Sequence, residues 1–249
     1  MQLTTTIRRL GGNDARLIGR DGFLLYMFGY MLFLSVVMRF ALPALDTYLA
    51  ENADLSFRLS DFFPLLIAYN GIFLGAGLVG GIFAFILLDE RDNDTLKALL
   101  VTPVRVEHYL AYRVGLPAVI GFVMVIVTVL IINQALPPLH VLVLIAAGAS
   151  LLAPIASLFF ASVAQNRVQG LALTKFIGLA GVFVLVAWFI PEPYQWIVGL
   201  FPPFWINKAY WMALAGNPYW PLALAVGVVT QAMLIVWLAR IFRRVAYDS

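Results

Sequence analysis

Very few of the 249 residues have side chains and spacings suited to covalent or acid–base chemistry. The two histidines, His108 and His140, flank an apolar run, 114–132, long enough to cross a bilayer, so they cannot share one metal ion. The chain has no H-E-x-x-H pair, no G-x-S-x-G turn and no two acidic residues at helical spacing inside an apolar run. It contains no cysteine, which excludes disulfides, thiolate metal ligands and cysteine nucleophiles. No G-x-x-x-x-G-K-[ST] loop occurs, so the chain cannot hold ATP in the Walker manner. Apart from His140 and Arg240 at the edges of their runs, the ionisable groups within the apolar runs are Arg39 and Lys175, each near the end of a run where a long side chain can snorkel to water. These residues predict no catalytic centre, no metal site and no resident cofactor. The expectation is a protein that is not itself an enzyme.

Polar chemistry is concentrated in one segment, Asp89–Arg113. Asp92, Asn93 or Asp94 is placed to cap a short helix, with Thr95 in its first turn. Leu96, Leu99 and Leu100 follow at i, i+3 and i+4 and form one apolar face, and Thr102-Pro103 ends the helix. A face that small cannot hold a helix alone in water, so lipid headgroups, the chain's own helices or a partner's groove must cover it. Glu90 and Arg91 are read as anchors of this loop. A second cue is the small-xxx-small spacing of Gly71/Gly75 and Gly77/Gly81, which lets helix backbones approach closely within a subunit or between two. Asn70 and Gln231 are single amides in apolar runs, suited to interhelical hydrogen bonds.

The elements that position these residues follow from composition. The chain is 63% hydrophobic and 12% charged, against roughly 25% charged for a soluble domain. Its mean hydropathy is +0.93. Six apolar runs predict an all-α membrane protein with spans at about 22–42, ended by Pro43, then 62–88, 114–132, 139–164 with a kink at Pro154, 170–190 and 219–242. Residues 1–21 carry Arg8, Arg9, Arg16 and Arg20 beside an apolar stripe and read as an amphipathic interfacial helix, with no removable signal peptide. Residues 22–249 form one membrane domain. Twelve of the sixteen basic residues fall on one side, which places both termini and the Asp89–Arg113 segment in the cytoplasm. The net charge of +3 is read as membrane-anchoring arginines, not as a nucleic-acid surface.

The run Glu90-Arg91-Asp92-Asn93-Asp94-Thr95-Leu96-Lys97-Ala98-Leu99-Leu100-Val101-Thr102-Pro103-Val104 resembles the cytoplasmic coupling-helix motif of type-2 ABC exporter permeases. That motif has an acidic residue, polar residues, Gly-Thr-Leu, an acidic residue, Leu-Leu and Ser/Thr-Pro, and it follows the second span. This sequence departs from it at Asp94, where glycine is usual, and at Lys97, where an acidic residue is usual. The resemblance extends to a basic N-terminal elbow helix, six spans and an aromatic segment, 191–218, which in family members forms short re-entrant helices at the outer face. Asn13-Asp14-Ala15-Arg16-Leu17 followed by Arg20-Asp21-Gly22-Phe23 resembles the fluoroquinolone-type drug-export permeases within the family.

The resemblance implies an exporter permease in the inner or plasma membrane, working as a dimer with a copy of itself or a sibling permease. Two separately encoded ATPase subunits would hold ATP and Mg²⁺, and the helix at about 92–102 would enter a groove on each: Asp92, Asn93, Asp94, Thr95, Leu96, Lys97, Leu99, Leu100, Thr102 and Pro103. A hydrophobic or amphipathic drug, lipid or lipopeptide would leave by a path between the permeases. The alternatives are an ATP-independent secondary transporter or channel, which would call for ionisable residues near the midplane or inverted repeats, and a haem-exporter-like permease of cytochrome assembly.

Overall fold

A computed structural model describes residues 11–12, 14, 16–53, 56–92, 106–164 and 166–248. It is all-helical among the described residues. Among the described residues, six helices are long and apolar enough to cross a membrane: Gly22–Asn52, Leu59–Asp92, His108–Ile132, Leu139–Val163, Arg167–Phe189 and Trp220–Arg243. The proposed coupling residues Asn93–Pro103 lie outside the described residues; Asp92, the last residue of the second span, is inside them.

The second and fourth spans form the centre of the bundle, with 89% and 78% of their most apolar windows buried, against 22–39% for the other four. Small residues make this centre possible. An added Cβ on Gly80 would lie 2.5 Å from the Ala153 carbonyl oxygen and 3.0 Å from the Ala153 Cα, so the two helices touch backbone to backbone. Gly71 and Gly75 face Val129 and Thr128 of the third span, while Gly77 and Gly81 face Ile177 of the fifth. The Thr128 hydroxyl donates to the Gly71 carbonyl oxygen at 2.9 Å. The Gln231 amide, fully buried on the sixth span, donates to the Gly148 carbonyl oxygen at 3.3 Å.

Three span boundaries differ from the hydropathy reading. Pro43 does not end the first helix, which runs on to Asn52 for 31 residues; at 1.5 Å per residue that is about 46 Å, well beyond the hydrocarbon core of about 30 Å. Pro43 deprives only the Arg39 carbonyl oxygen of its helical donor, and one such loss is tolerated inside a long helix. The second helix does not stop at Leu88, nor does the third begin after Arg113: the charged residues Asp89–Asp92 and Arg113 are helical. The fourth span does break near its proline, at Leu151 between helices Leu139–Ser150 and Leu152–Val163, because Pro154 has no N–H for the Ser150 carbonyl and its ring crowds that group.

Part of the second span, Ala68–Leu74, is wound as a π-helix. It lies where the Tyr69 and Phe73 rings press on Gly181 of the fifth span, leaving no room for a Cβ: Tyr69 Cε2 would be 2.4 Å away. At the end of the bundle opposite the termini, the segment between the fifth and sixth spans forms helices Gln195–Val198 and Pro203–Leu214. The second is anchored by Tyr210, whose hydroxyl donates to the Ala135 carbonyl oxygen at 2.7 Å, and by Trp211, which packs edge-on against Trp188 at 5.0 Å.

Candidate functional site at the charged end of the bundle

The residues that lead into and out of the 93–105 loop are fixed by two ionic clusters. In the first, Arg113 of the third span points inward with its side chain fully buried. It donates to Asp14 Oδ2 at 2.8 Å and Oδ1 at 3.4 Å, and to Glu90 Oε1. The Tyr112 hydroxyl donates to Asp14 and the Tyr109 hydroxyl to Glu90, each at 2.7 Å. Both rings also lie beside the guanidinium, with Cζ 5.3 Å from the Tyr112 centroid and 5.5 Å from that of Tyr109. Asp14 and Glu90 are 2% and 6% exposed. One cation thus holds two buried carboxylates from two other elements, and two phenols supply the hydrogen bonds the guanidinium cannot.

The second cluster centres on Arg167, the first residue of the fifth span. Its guanidinium reaches Asp89 Oδ2 at 3.1 Å and pairs with Asp21, and it lies over the Phe85 ring at 5.8 Å. Its backbone N–H donates to Asp92 Oδ2 at 3.3 Å. Asp21 also caps the first span, accepting from the N–H groups of Phe23 at 2.9 Å and Leu24 at 3.3 Å. Burial pushes the Asp21 carboxyl up, but the Arg167 hydrogen bond and these two N–H groups outweigh it and hold the carboxyl below its ordinary value.

All four charged residues at the end of the second span are therefore engaged. Asp89 and Asp92 go to Arg167, Glu90 goes to Arg113 and Tyr109, and Arg91 donates to the Ala164 carbonyl oxygen at 3.2 Å. The root of the loop is tied at once to the N-terminal segment through Asp14, to the first span through Asp21, to the third through Arg113 and to the fifth through Arg167. Sequence reasoning singled out Glu90 and Arg91 as loop anchors but not their partners. Asp14 and Asp21 stand in the N-terminal motif quoted above, and the cue was that two acids interrupt an arginine-rich segment.

The expected single-residue features have plain surroundings. His140 and Lys175 are exposed, His108 is half-buried, and the Arg39 guanidinium donates to the Ile131 carbonyl oxygen at 3.0 Å. Within the span region, an almost wholly apolar cleft of 290 Å³ opens beside the fifth span, lined by Phe73, Phe160, Phe176, Phe183 and Phe201 together with Gly77 and Ala156.

These features can be set beside known proteins. A family model described as "Fluoroquinolones export permease protein Rv2686c-like" matches residues 14–239, beginning at the buried Asp14. Two Mycobacterium tuberculosis proteins, the fluoroquinolones export permease proteins MT2760 (strain CDC 1551 / Oshkosh) and Rv2686c (strain H37Rv), are each 31% identical over 238 residues. The alignments cover 94% of this chain and 91% of theirs. No solved structure matches. With six apolar spans and a family match over nearly its whole length, this multi-pass membrane transport protein belongs to the Rv2686c-like family of fluoroquinolone export permeases.

Proposed function

We propose that this chain is the transmembrane permease subunit of an ATP-driven exporter in the cell membrane. It pairs with a second permease, a copy or a sibling, and with separately encoded ATPase subunits that bind ATP and Mg²⁺. Both termini and the 93–105 loop face the cytoplasm, where the arginine excess lies. The N-terminal segment lies at that interface as an elbow, and the 191–218 segment faces outward. The substrate is a hydrophobic or amphipathic drug with a flat aromatic body, the class to which the relatives' fluoroquinolones belong.

The observation that carries this reading is the fixing of the loop root. A loop that receives force from an ATPase must pass it to the spans, and a frayed junction would dissipate it. Here Asp89 and Asp92 are both bonded to Arg167, Glu90 to Arg113 and Arg91 to the Ala164 carbonyl oxygen, all on neighbouring elements. A push on the loop therefore acts on the first, third and fifth spans together. The phenylalanine-walled cleft between the fourth and fifth spans gives such motion an apolar space to reshape.

The test is to look for an ABC ATPase gene beside this one and to co-purify its product with the full chain. Wild type should retain the ATPase, and the variant with both Leu96→Asp and Leu99→Asp should lose it while keeping its own elution profile. Membrane vesicles holding both proteins should hydrolyse ATP faster when a fluoroquinolone is added. Retention of the ATPase by the double variant would overturn the docking assignment.

A further inference from the structure

At the end opposite the termini, a recess of 340 Å³ lies between helix Pro203–Leu214, the start of the sixth span and the chain just after the fifth. Its walls are Trp196 and Trp205, whose rings are 5.2 Å apart, and Tyr219. Trp205 is fixed by donating its indole N–H to the Gly199 carbonyl oxygen at 2.9 Å. Trp196 and Tyr219 are 60% and 68% exposed. Two charges stand in this aromatic setting. The Lys208 ammonium donates to Glu192 and, at 2.7 Å, to Gln195 Oε1. The Lys208 side chain is 18% exposed and that of Glu192 is 64% exposed. From the recess, Leu222, Ala223 and Val226 of the sixth span continue as an apolar wall.

We infer that this recess binds the headgroup of a zwitterionic phospholipid of the ethanolamine class, with phosphate on Lys208, amine on Glu192 and an acyl chain along Leu222, Ala223 and Val226. The charge pattern selects this occupant. The recess presents one cation and one anion, so a net-anionic headgroup would set its phosphate against the Glu192 carboxylate, while a zwitterion satisfies both charges. A primary ammonium can donate hydrogen bonds to Glu192, which a choline cannot. Opening the Lys208–Glu192 pair to admit the headgroup costs little, because one partner is largely in water. Indoles and phenols beside the charges are the groups that settle at the level of lipid headgroups. The site stands apart from the loop and the cleft, and it holds whether or not the transport reading does.

Native mass spectrometry of the full chain, purified in mild detergent and exchanged against defined lipids, tests the site. Wild type should retain phosphatidylethanolamine over phosphatidylglycerol and phosphatidylcholine by about fivefold, the size expected for one exposed charge contact. Lys208→Gln should abolish that preference, and Glu192→Gln should shift it toward phosphatidylglycerol. The charge-exchanged variant Lys208→Glu with Glu192→Lys should recover the ethanolamine preference, separating loss of the site from loss of the fold. Equal retention of the three lipids by wild type, or a ratio moved by neither single variant, would overturn the assignment. So would disulfide cross-linking between copies through Leu222→Cys, since a second chain would then fill the recess.

Discussion

Asp14 and Arg113 lie 99 positions apart in the chain and meet at 2.8 Å, both buried, at the end of the bundle where the chain enters the membrane domain. This pair fastens the N-terminal segment to the third span, and Glu90 extends it to the second. Such a cluster is costly to desolvate, so its net worth is smaller than its Coulomb attraction suggests. Removing one member is a different matter, because the remaining charges stay buried without a partner.

Arg113→Met should therefore destabilise the protein by about 3–5 kcal/mol, read as a fall in the thermal unfolding midpoint in detergent. A variant carrying Arg113→Met, Asp14→Leu, Glu90→Leu, Tyr109→Phe and Tyr112→Phe removes every stranded polar group together. It should recover most of the loss. An unchanged midpoint for Arg113→Met alone would show that the cluster does not hold the segment.

The Arg167 cluster should appear in the acid limb of stability. Asp21 has its folded-state carboxyl held below the ordinary value of 3.8 by Arg167 and the helix N-terminus. A depressed carboxylate stabilises the fold fully above its unfolded value, and that contribution is lost as pH falls through the folded value. As pH falls from about 5 past the ordinary value of 3.8 and through the lower folded value, the wild-type unfolding midpoint should fall more steeply than that of Asp21→Asn, which keeps a capping oxygen but no charge. Parallel curves would remove Asp21 from the account.

The six spans were legible in the sequence because a run of about 20 apolar residues is a statement of length and hydropathy, which the bilayer enforces directly. Their ends were less legible. Reading Asp89–Arg113 as one polar loop treats every charge as seeking water, whereas Glu90 and Arg113 seek each other and stay helical and buried. That pairing joins residues 23 apart in the chain, and the Asp14 contact is longer still; no local pattern encodes either. Glycine spacing named a packing face on the second span but not which glycine makes the closest approach.

That glycine is Gly80. Gly80→Ala should cost about 1–3 kcal/mol, because the new methyl group meets the backbone of Ala153, which has nowhere to go. Gly115, on the third span, has nothing within 4 Å of the same position. Gly115→Ala should be neutral or stabilising by up to about 1 kcal/mol, the helix-propensity difference. Unfolding midpoints of the two variants measured side by side check the contrast, and equal effects would contradict the backbone contact.

Sidedness can be read chemically because the chain has no cysteine, so each one introduced is unique. Asn93 directly follows Asp92, whose carboxylate is bonded to the first backbone N–H of the fifth span, while Glu192 follows the other end of that span after 23 helical residues. At 1.5 Å per residue the two ends are about 34 Å apart, enough to cross the hydrocarbon core. A membrane-impermeant maleimide should label Glu192→Cys in intact cells and reach Asn93→Cys only after the membrane is opened. Labelling of both from outside would break the six-span arrangement. Labelling of Asn93→Cys alone would invert it and put the loop where no ATP-driven partner could reach it.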